Sequence, residues 1–475
     1  MIEIIIRDHE FAYDVKALTL SFFPEKECIV TEDMTVTEGK EGYFLRCLLD
    51  GQIFLEKTIA PPYDKNKVKQ VLYDTYREMT GKELPWGILT GIRPAKLALR
   101  AMLAGANEDE VNQELKETYY MKNEKIHLAV DVAKNEKELI SGIDYKNGYS
   151  VYIGIPFCRT RCHYCSFAAY PLSQYAGRID EYLAALIKEI QFAGETYKHH
   201  PLHSIYIGGG TPTSLNEEQF ERLLQEVHQH FDVSKALEFT VEAGRPDTIT
   251  EGKLRLMKDY GVTRISINPQ TMKQETLDKM GREHTPESIR SVFHMARKLG
   301  FDNINMDLIV GLPDETLEDF KLTLEEIGKL EPDSITIHTL VIKRASRLRE
   351  EQDRSGGVIK EADDVVEKMQ DYGEKFCYGH GYFPYYMYRQ KNKSGMTKNT
   401  NQENVAYARP GKECYYNVFI MEELETIIAL GAGASSKYVI GERQMERVGN
   451  VKSIEEYCER IDEMIERKRS FALWQ

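Results

Sequence analysis

Three cysteines crowd into residues 158 to 165, which read Cys-Arg-Thr-Arg-Cys-His-Tyr-Cys. Thiolates are soft ligands, and the spacing of Cys158, Cys162 and Cys165 is one ligand short of a closed tetrahedral site. Two metal chemistries fit. One is a zinc ion completed by a fourth ligand such as His163 or His338; the other is a 4Fe-4S cluster held at three irons, with the fourth iron open. A third alternative, inert buried thiols, is disfavoured because grouped thiolates are an oxidation hazard. The other five cysteines (Cys28, Cys47, Cys377, Cys414 and Cys458) lack ligand spacing and read as buried or inert thiols.

The elements around this loop place it. It follows the apolar run Val-Tyr-Ile-Gly-Ile-Pro-Phe, and strand candidates recur at 150–155, 204–208, 237–242, 264–268, 303–310 and 334–341. Amphipathic stretches of helical period separate them. Six successive β/α units predict a parallel sheet, either doubly wound or curled into a partial barrel. Both architectures bind ligands at the C-terminal strand ends, where Cys158 falls.

Other polar groups fall on the same rim. Gly209, Gly210 and Thr211 close the second strand within Gly-Gly-Gly-Thr-Pro-Thr, where glycine lets backbone approach a ligand and offer carbonyls or amides. Glu242 ends the third strand, Gln270 lies just past the fourth, Arg282 follows in Gly-Arg-Glu-His-Thr, and Asp307 sits in the fifth. Several such residues on consecutive strand ends are best explained by one shared site.

The rest of the chain sets bounds. At 475 residues it is long enough for two or three domains. A net charge of -14 and a pI near 5.5 argue against nucleic acid as the main ligand. No run approaches the roughly 20 apolar residues of a membrane span, and the start lacks signal-peptide features, so a cytoplasmic location is expected. Residues 1–62 read as a small α+β domain with a turn at Asp50-Gly51, and 63–148 as a helical connection interrupted at 84–97. The repeating β/α region is assigned to 149–345 and a mixed α+β region to 346–475. The aromatic run Tyr382 to Tyr388, with Arg389 and Lys391, suits either a core or a flat-ring ligand with acidic substituents.

Cys-x3-Cys-x2-Cys with Tyr164 before the last cysteine resembles the signature of the radical S-adenosylmethionine (SAM) superfamily. The resemblance implies a partial (β/α)6 TIM-type barrel, a 4Fe-4S cluster on the three cysteines and SAM chelated to the open iron. It implies SAM contacts at Tyr164, Gly209, Gly210, Thr211, Glu242, Gln270, Arg282 and Asp307, and places Tyr152 near the cluster and the sulfonium as a catalytic candidate. The order of "YIGIPFC", "GGGTPTSL", "EFTVEAGRPD", "SINPQT", "GREH", "INMDLIVGLP" and "LGAGAS" resembles the oxygen-independent coproporphyrinogen III oxidase group. "GILTGIRPAK" and "YYMYRQKN" are similar to its HemZ-type members.

This resemblance implies oxidative decarboxylation of coproporphyrinogen III propionates to vinyl groups, giving protoporphyrinogen IX. It also implies a reducing partner such as a flavodoxin or ferredoxin, and a second SAM near Asp307 and His338. Two departures stand out. Better-known dehydrogenases carry a fourth cysteine two positions after the third, where this chain has Phe167, as does the related haem-chaperone subgroup. Those chaperones carry His-Asn followed by Tyr-Trp, where this chain reads "CYYNVFIMEELETI". The alternative is therefore a haem-binding delivery protein that keeps the cluster without decarboxylating; radical methylation or opening of a tetrapyrrole ring is a lesser one.

Overall fold

The structure is a computed structural model and describes all residues except 8, 33–41, 92, 166–168, 342–362, 390–402, 442–443 and 472–475. The chain divides into two units, Met1–Lys137 with two short later segments, and the remainder from Glu138.

In the first unit, β1 (Ile2–Ile6), β2 (Cys28–Glu32), β3 (Tyr43–Leu49) and β4 (Gln52–Ile59) form a sheet of order β2-β1-β3-β4. The expected hairpin turn joins β3 to β4. Asp50 and Gly51 both have positive φ, 49° and 84°, the pairing a two-residue hairpin needs for right-handed strand twist. The helices Ala12–Phe22 and Lys65–Thr80 pack Val15, Leu18, Val68, Leu72 and Tyr76 against Ile2, Ile4 and Ile6 of β1. Asp64 caps the second helix by accepting from the Lys67 amide. Because Lys65–Thr80 shares this core, the small α+β unit extends past residue 62. The interruption at 84–97 is tied down by Trp86, whose indole donates to Glu403 at 2.6 Å while Lys125 pairs with the same carboxylate at 2.9 Å.

The second unit contains β5 (Tyr149–Ile155), β6 (Phe157–Cys158), β7 (Tyr170–Pro171), β8 (Leu202–Gly209), β9 (Glu238–Gly244), β10 (Arg264–Ile267), β11 (Ile304–Val310) and β12 (Ser334–Thr339). β13 (Phe383–Arg389), β14 (Glu403–Ala408), β15 (Thr426–Leu430), β16 (Ser435–Gly441) and β17 (Gln444–Gly449) follow. Apart from β6 and β7, which pair with each other, these strands form one sheet of order β13-β14-β12-β11-β10-β9-β8-β5-β15-β16-β17. β5, β8, β9, β10, β11 and β12 lie in chain order, each parallel to its neighbour. A doubly wound sheet reverses its order at a switch point; this one winds in a single direction, as a barrel does. The expected partial (β/α)6 barrel is the fold.

Alternation along these strands gives the sheet two different faces. Val151, Ile153, Ile205, Ile207, Phe239, Val241, Ile265, Met306 and Leu308 are buried. They suit packing against the crossover helices Ile179–Tyr197, Glu217–His230, Glu251–Asp259, Pro286–Lys298 and Leu317–Leu330. The alternate residues are polar and bond one another: Ser150 to Ser204, Tyr206 to Glu242, and Asn305 to Ser334, Thr336 and Asp307. Barrel interiors are usually packed with branched apolar side chains. A polar interior is suited to a ligand chamber.

The C-terminal region extends the same sheet. β14 runs antiparallel to β12, and β15 runs parallel to β5. One buried carboxylate fastens that junction. Glu189, on Ile179–Tyr197, accepts from Lys468 at 2.5 Å, Asn450 at 2.9 Å, Tyr457 at 2.6 Å and the Gly431 amide at 2.8 Å. Gly431 has φ 107°, and a Cβ there would stand 2.6 Å from the Tyr182 hydroxyl. Lys468 and Glu189 are both 0% exposed. Removing the lysine alone leaves a buried carboxylate uncompensated, so Lys468→Met is expected to cost roughly 3–5 kcal/mol, read as a lower urea midpoint.

Candidate functional site

The cysteine loop begins where β5 ends. Cys158 and Cys162 are buried and Cys165 is half-buried. Backbone bonds seat the glycine run directly beneath the loop: the Gly210 amide donates to Ile155 O and the Thr211 amide to Phe157 O, both at 2.8 Å. A Cβ at Gly210 would stand 2.7 Å from the Phe157 carbonyl oxygen and 3.0 Å from Cys158 Sγ, so no larger residue fits. The expectation that this run offers amides or carbonyls narrows accordingly, since the Gly210 and Thr211 amides are committed and the Thr211 carbonyl accepts from the Ser214 amide at 2.9 Å. The Thr211 hydroxyl lies 3.5 Å from Cys158 Sγ. Burial pushes the Cys158 thiol up to about 11, against the pull of that hydroxyl.

Two buried guanidiniums converge on Cys162. Arg282, 5% exposed, places Nη1 3.8 Å from Cys162 Sγ; the same nitrogen donates to the Tyr164 hydroxyl at 2.9 Å, and Nη2 donates to Asn268 O at 2.6 Å. Arg245, 4% exposed, places Nη1 3.9 Å from the same sulfur. That nitrogen also donates to Thr160 O and Oγ1, while Nε and Nη2 make a two-pronged pair with Asp247. His284 is buried beside them, and burial together with the Arg282 charge lowers it to about 3, so it stays neutral. Lys253 pins the loops after β8 and β9 together through Thr213 O and Thr248 O.

The two predicted carboxylates occupy the polar face in opposite states. Glu242 is raised to about 7, first by burial and then by the charge of Asp307; the Tyr206 hydroxyl, donating at 2.6 Å, works against this. Asp307 is held below the usual carboxylate range: burial would raise it, but the His338 ring and the Asn305 amide outweigh that. His338 Nε2 lies 3.8 Å from Asp307, and the Asn305 amide donates at 2.7 Å. Environments that push two carboxyls apart in this way are typical of working sites. Gln270 holds φ at 69° although it is not glycine, pinned by its amide to Asp307 O and by the Ile309 amide to its own carbonyl. Such strain costs of order 1–3 kcal/mol and persists where surrounding structure fixes it.

Tyr152 is half-buried, with its hydroxyl 3.3 Å from where a Cβ on Gly209 would be. It belongs to a stack: Tyr206 and Tyr416 lie ring to ring at 4.5 Å, and Tyr152 stands near-parallel to both at about 6 Å. Tyr416 lies in the first turn of the helix Tyr415–Glu422; the Tyr415 amide and the thiol of the preceding Cys414 both donate to Glu238.

Hydrogen bonds and close approaches thus connect the predicted residues in two groups, Cys158, Cys162, Tyr164, Gly210, Thr211 and Arg282 in one, Tyr152, Gly209, Glu242, Gln270, Asp307 and His338 in the other. Arg245, Tyr206 and Tyr416 were not anticipated. Arg245 carried a signal, an arginine just past a strand end. The aromatic run is not free to stack on a ligand, since Tyr382 and Tyr385 are core residues and Arg389 donates to Leu89 O. Cys28, Cys47, Cys377 and Cys414 are buried as expected, whereas Cys458 is half-buried. Phe167 and Lys391 lie outside the described residues. Among the described residues no three His, Cys, Asp or Glu side chains converge on one metal position.

Comparison with known proteins agrees with this geometry. Residues 152–327 match the Radical SAM superfamily. The oxygen-independent coproporphyrinogen-III oxidase-like protein HemZ of Bacillus subtilis (strain 168) is 42% identical over 85% of this chain and 80% of its own length. The heme chaperone HemW of Lactococcus lactis subsp. lactis (strain IL1403) is 32% identical over 62% of this chain and 70% of its own. The structure of coproporphyrinogen III oxidase (HemN) from Escherichia coli, described as a radical SAM enzyme, shares the fold with a TM-score of 0.54 at 24% identity, covering 68% of this chain and 71% of that one. The family implies a 4Fe-4S cluster and SAM, and the site suits them: it combines grouped thiolates, buried positive charge at Arg245 and Arg282, and a polar chamber beside it. The chain therefore belongs to the radical SAM superfamily and, within it, to the family of HemZ oxygen-independent coproporphyrinogen-III oxidase-like proteins.

Proposed function

We propose that Cys158, Cys162 and Cys165 hold the cluster and that the chain decarboxylates the propionates of coproporphyrinogen III without oxygen. When bound, the reduced cluster and SAM supply a carbon-centred radical that abstracts hydrogen. From each of two propionates a β-hydrogen atom is taken, CO2 departs and one electron passes to an acceptor, leaving a vinyl group. The chain's own residues bind and exclude water. The carbonyls of Gly209 and Gly210 and the carboxylate of Glu242 suit the ammonium and ribose hydroxyls of SAM. Tyr164 is fixed by Arg282, and Gln270 and Asp307 complete the rim. The Tyr152, Tyr206 and Tyr416 stack provides a flat wall against which a large ring can lie. A ferredoxin- or flavodoxin-class donor would supply the reducing electron.

The observation that carries this reading is the three-thiolate loop seated on the strand ends of a polar-lined partial barrel, in a chain so similar to HemZ. A haem-delivery role is the second reading, favoured by Phe167 in place of a fourth cysteine and by the likeness to HemW. Anaerobic incubation of the reconstituted chain with a reductant, SAM and coproporphyrinogen III separates the two. Loss of two CO2 per tetrapyrrole with vinyl formation is expected; stable haem binding with no product supports delivery and rejects decarboxylation.

Glu242 adds a pH signature. A donor on SAM bonds best to the ionised carboxylate, so affinity should rise as pH passes through about 7. About a tenfold gain in SAM affinity is expected between pH 6 and 8, and Glu242→Gln should flatten that dependence in an equilibrium titration.

A further inference from the structure

We propose that Arg245 and Arg282 set the reduction potential of the cluster through Cys162, and that Asp247 moderates the effect. This rests on the reading of the three cysteines as cluster ligands.

Arg282 carries no carboxylate partner within 4.0 Å among the described residues, yet it is 5% exposed. A guanidinium so buried costs several kcal/mol unless an anion lies beside it. The anion it faces is the Cys162 sulfur at 3.8 Å, and its remaining bonds go to neutral acceptors, the Tyr164 hydroxyl and Asn268 O. Both Nη1 hydrogens and one on Nη2 are thereby directed at Cys162, Tyr164 and Asn268, which fixes the guanidinium beside the sulfur. Arg245 approaches the same sulfur from the end of β9 at 3.9 Å and holds the intervening Thr160 at 2.7 Å. Unlike Arg282 it has its own counter-ion, Asp247, at 2.9 and 3.0 Å. The neutral His284 adds no charge between them.

One ligand sulfur therefore sits beside two cations and one carboxylate in a site largely closed to water, where screening is weak. Reduction adds one electron to the cluster, taking it with its three thiolates from a single to a double net negative charge. Hydrogen bonds and positive charge at the sulfurs favour the more negative state and raise the potential. The carboxylate of Asp247 opposes this by drawing on Arg245.

The test is the midpoint potential of the reconstituted cluster, read by electron paramagnetic resonance during a dithionite titration without SAM or substrate. Arg245→Gln and Arg282→Gln should each make the cluster about tenfold harder to reduce, about 59 mV lower for one electron. Asp247→Asn should move it the opposite way, towards easier reduction, while keeping both guanidiniums. A purely structural role does not give shifts of opposite sign. Unchanged potentials in all three, or a fall in Asp247→Asn, overturn the proposal. If an arginine variant loses its cluster, Asp247→Asn decides alone. A wild-type chain that takes up no four-iron cluster overturns the ligand reading and this inference together, whereas a cluster that forms but drives no decarboxylation overturns only the proposed reaction.

Discussion

Positive charge buried beside the Cys162 sulfur is the constraint on which the rest of the site depends. Two guanidiniums cannot be withdrawn from water without an anion to face them. Each reaches that sulfur only because of where its strand ends. Arg245 lies one residue past β9, and Arg282 is turned inward by bonds to Asn268 O and Tyr164. Both positions need β8, β9 and β10 side by side in chain order. The glycines beneath the loop and the Lys253 clamp on its neighbours serve the same end, because a loop displaced by an ångström would strand the charges.

The polar face of the sheet carries the second half of the design. A barrel interior of Ser, Thr, Asn, Tyr and acidic side chains gives up hydrophobic packing, and the sheet recovers stability on its other face and at its edges. The fully bonded Glu189 and Lys468 pair joins the helix Ile461–Arg469 to the first crossover helix and holds Gly431 just past the end of β15. Within the chamber, Glu242 and Asp307 titrate in opposite directions because burial and the Asp307 charge raise the first beyond what the Tyr206 hydroxyl can offset, while a histidine and an amide outweigh burial at the second.

Much of this was legible in the sequence. All six barrel strands fall within a few residues of where alternation and apolar runs put them, and Asp50-Gly51 makes the turn its residue types require. The three proposed ligand cysteines and the polar strand ends stood out by their types and spacing, and the resemblance to a known family suggested what they would hold. What stayed hidden depends on distant neighbours. Nothing local says that β15 inserts beside β5, that Tyr416 stacks on Tyr206, or that Arg245 turns towards Cys162 rather than into solvent. The run from Tyr382 reads equally as core or ligand wall, and only the burial of Tyr382 and Tyr385 decides it.

The account stands on an open iron above three cysteines. Its most direct test is the electron paramagnetic resonance spectrum of the dithionite-reduced, reconstituted protein recorded with and without SAM. The account predicts a reduced 4Fe-4S signal that changes shape when SAM is added, because SAM takes the open iron. A four-iron signal indifferent to SAM, or a protein that holds zinc in place of iron, would contradict it.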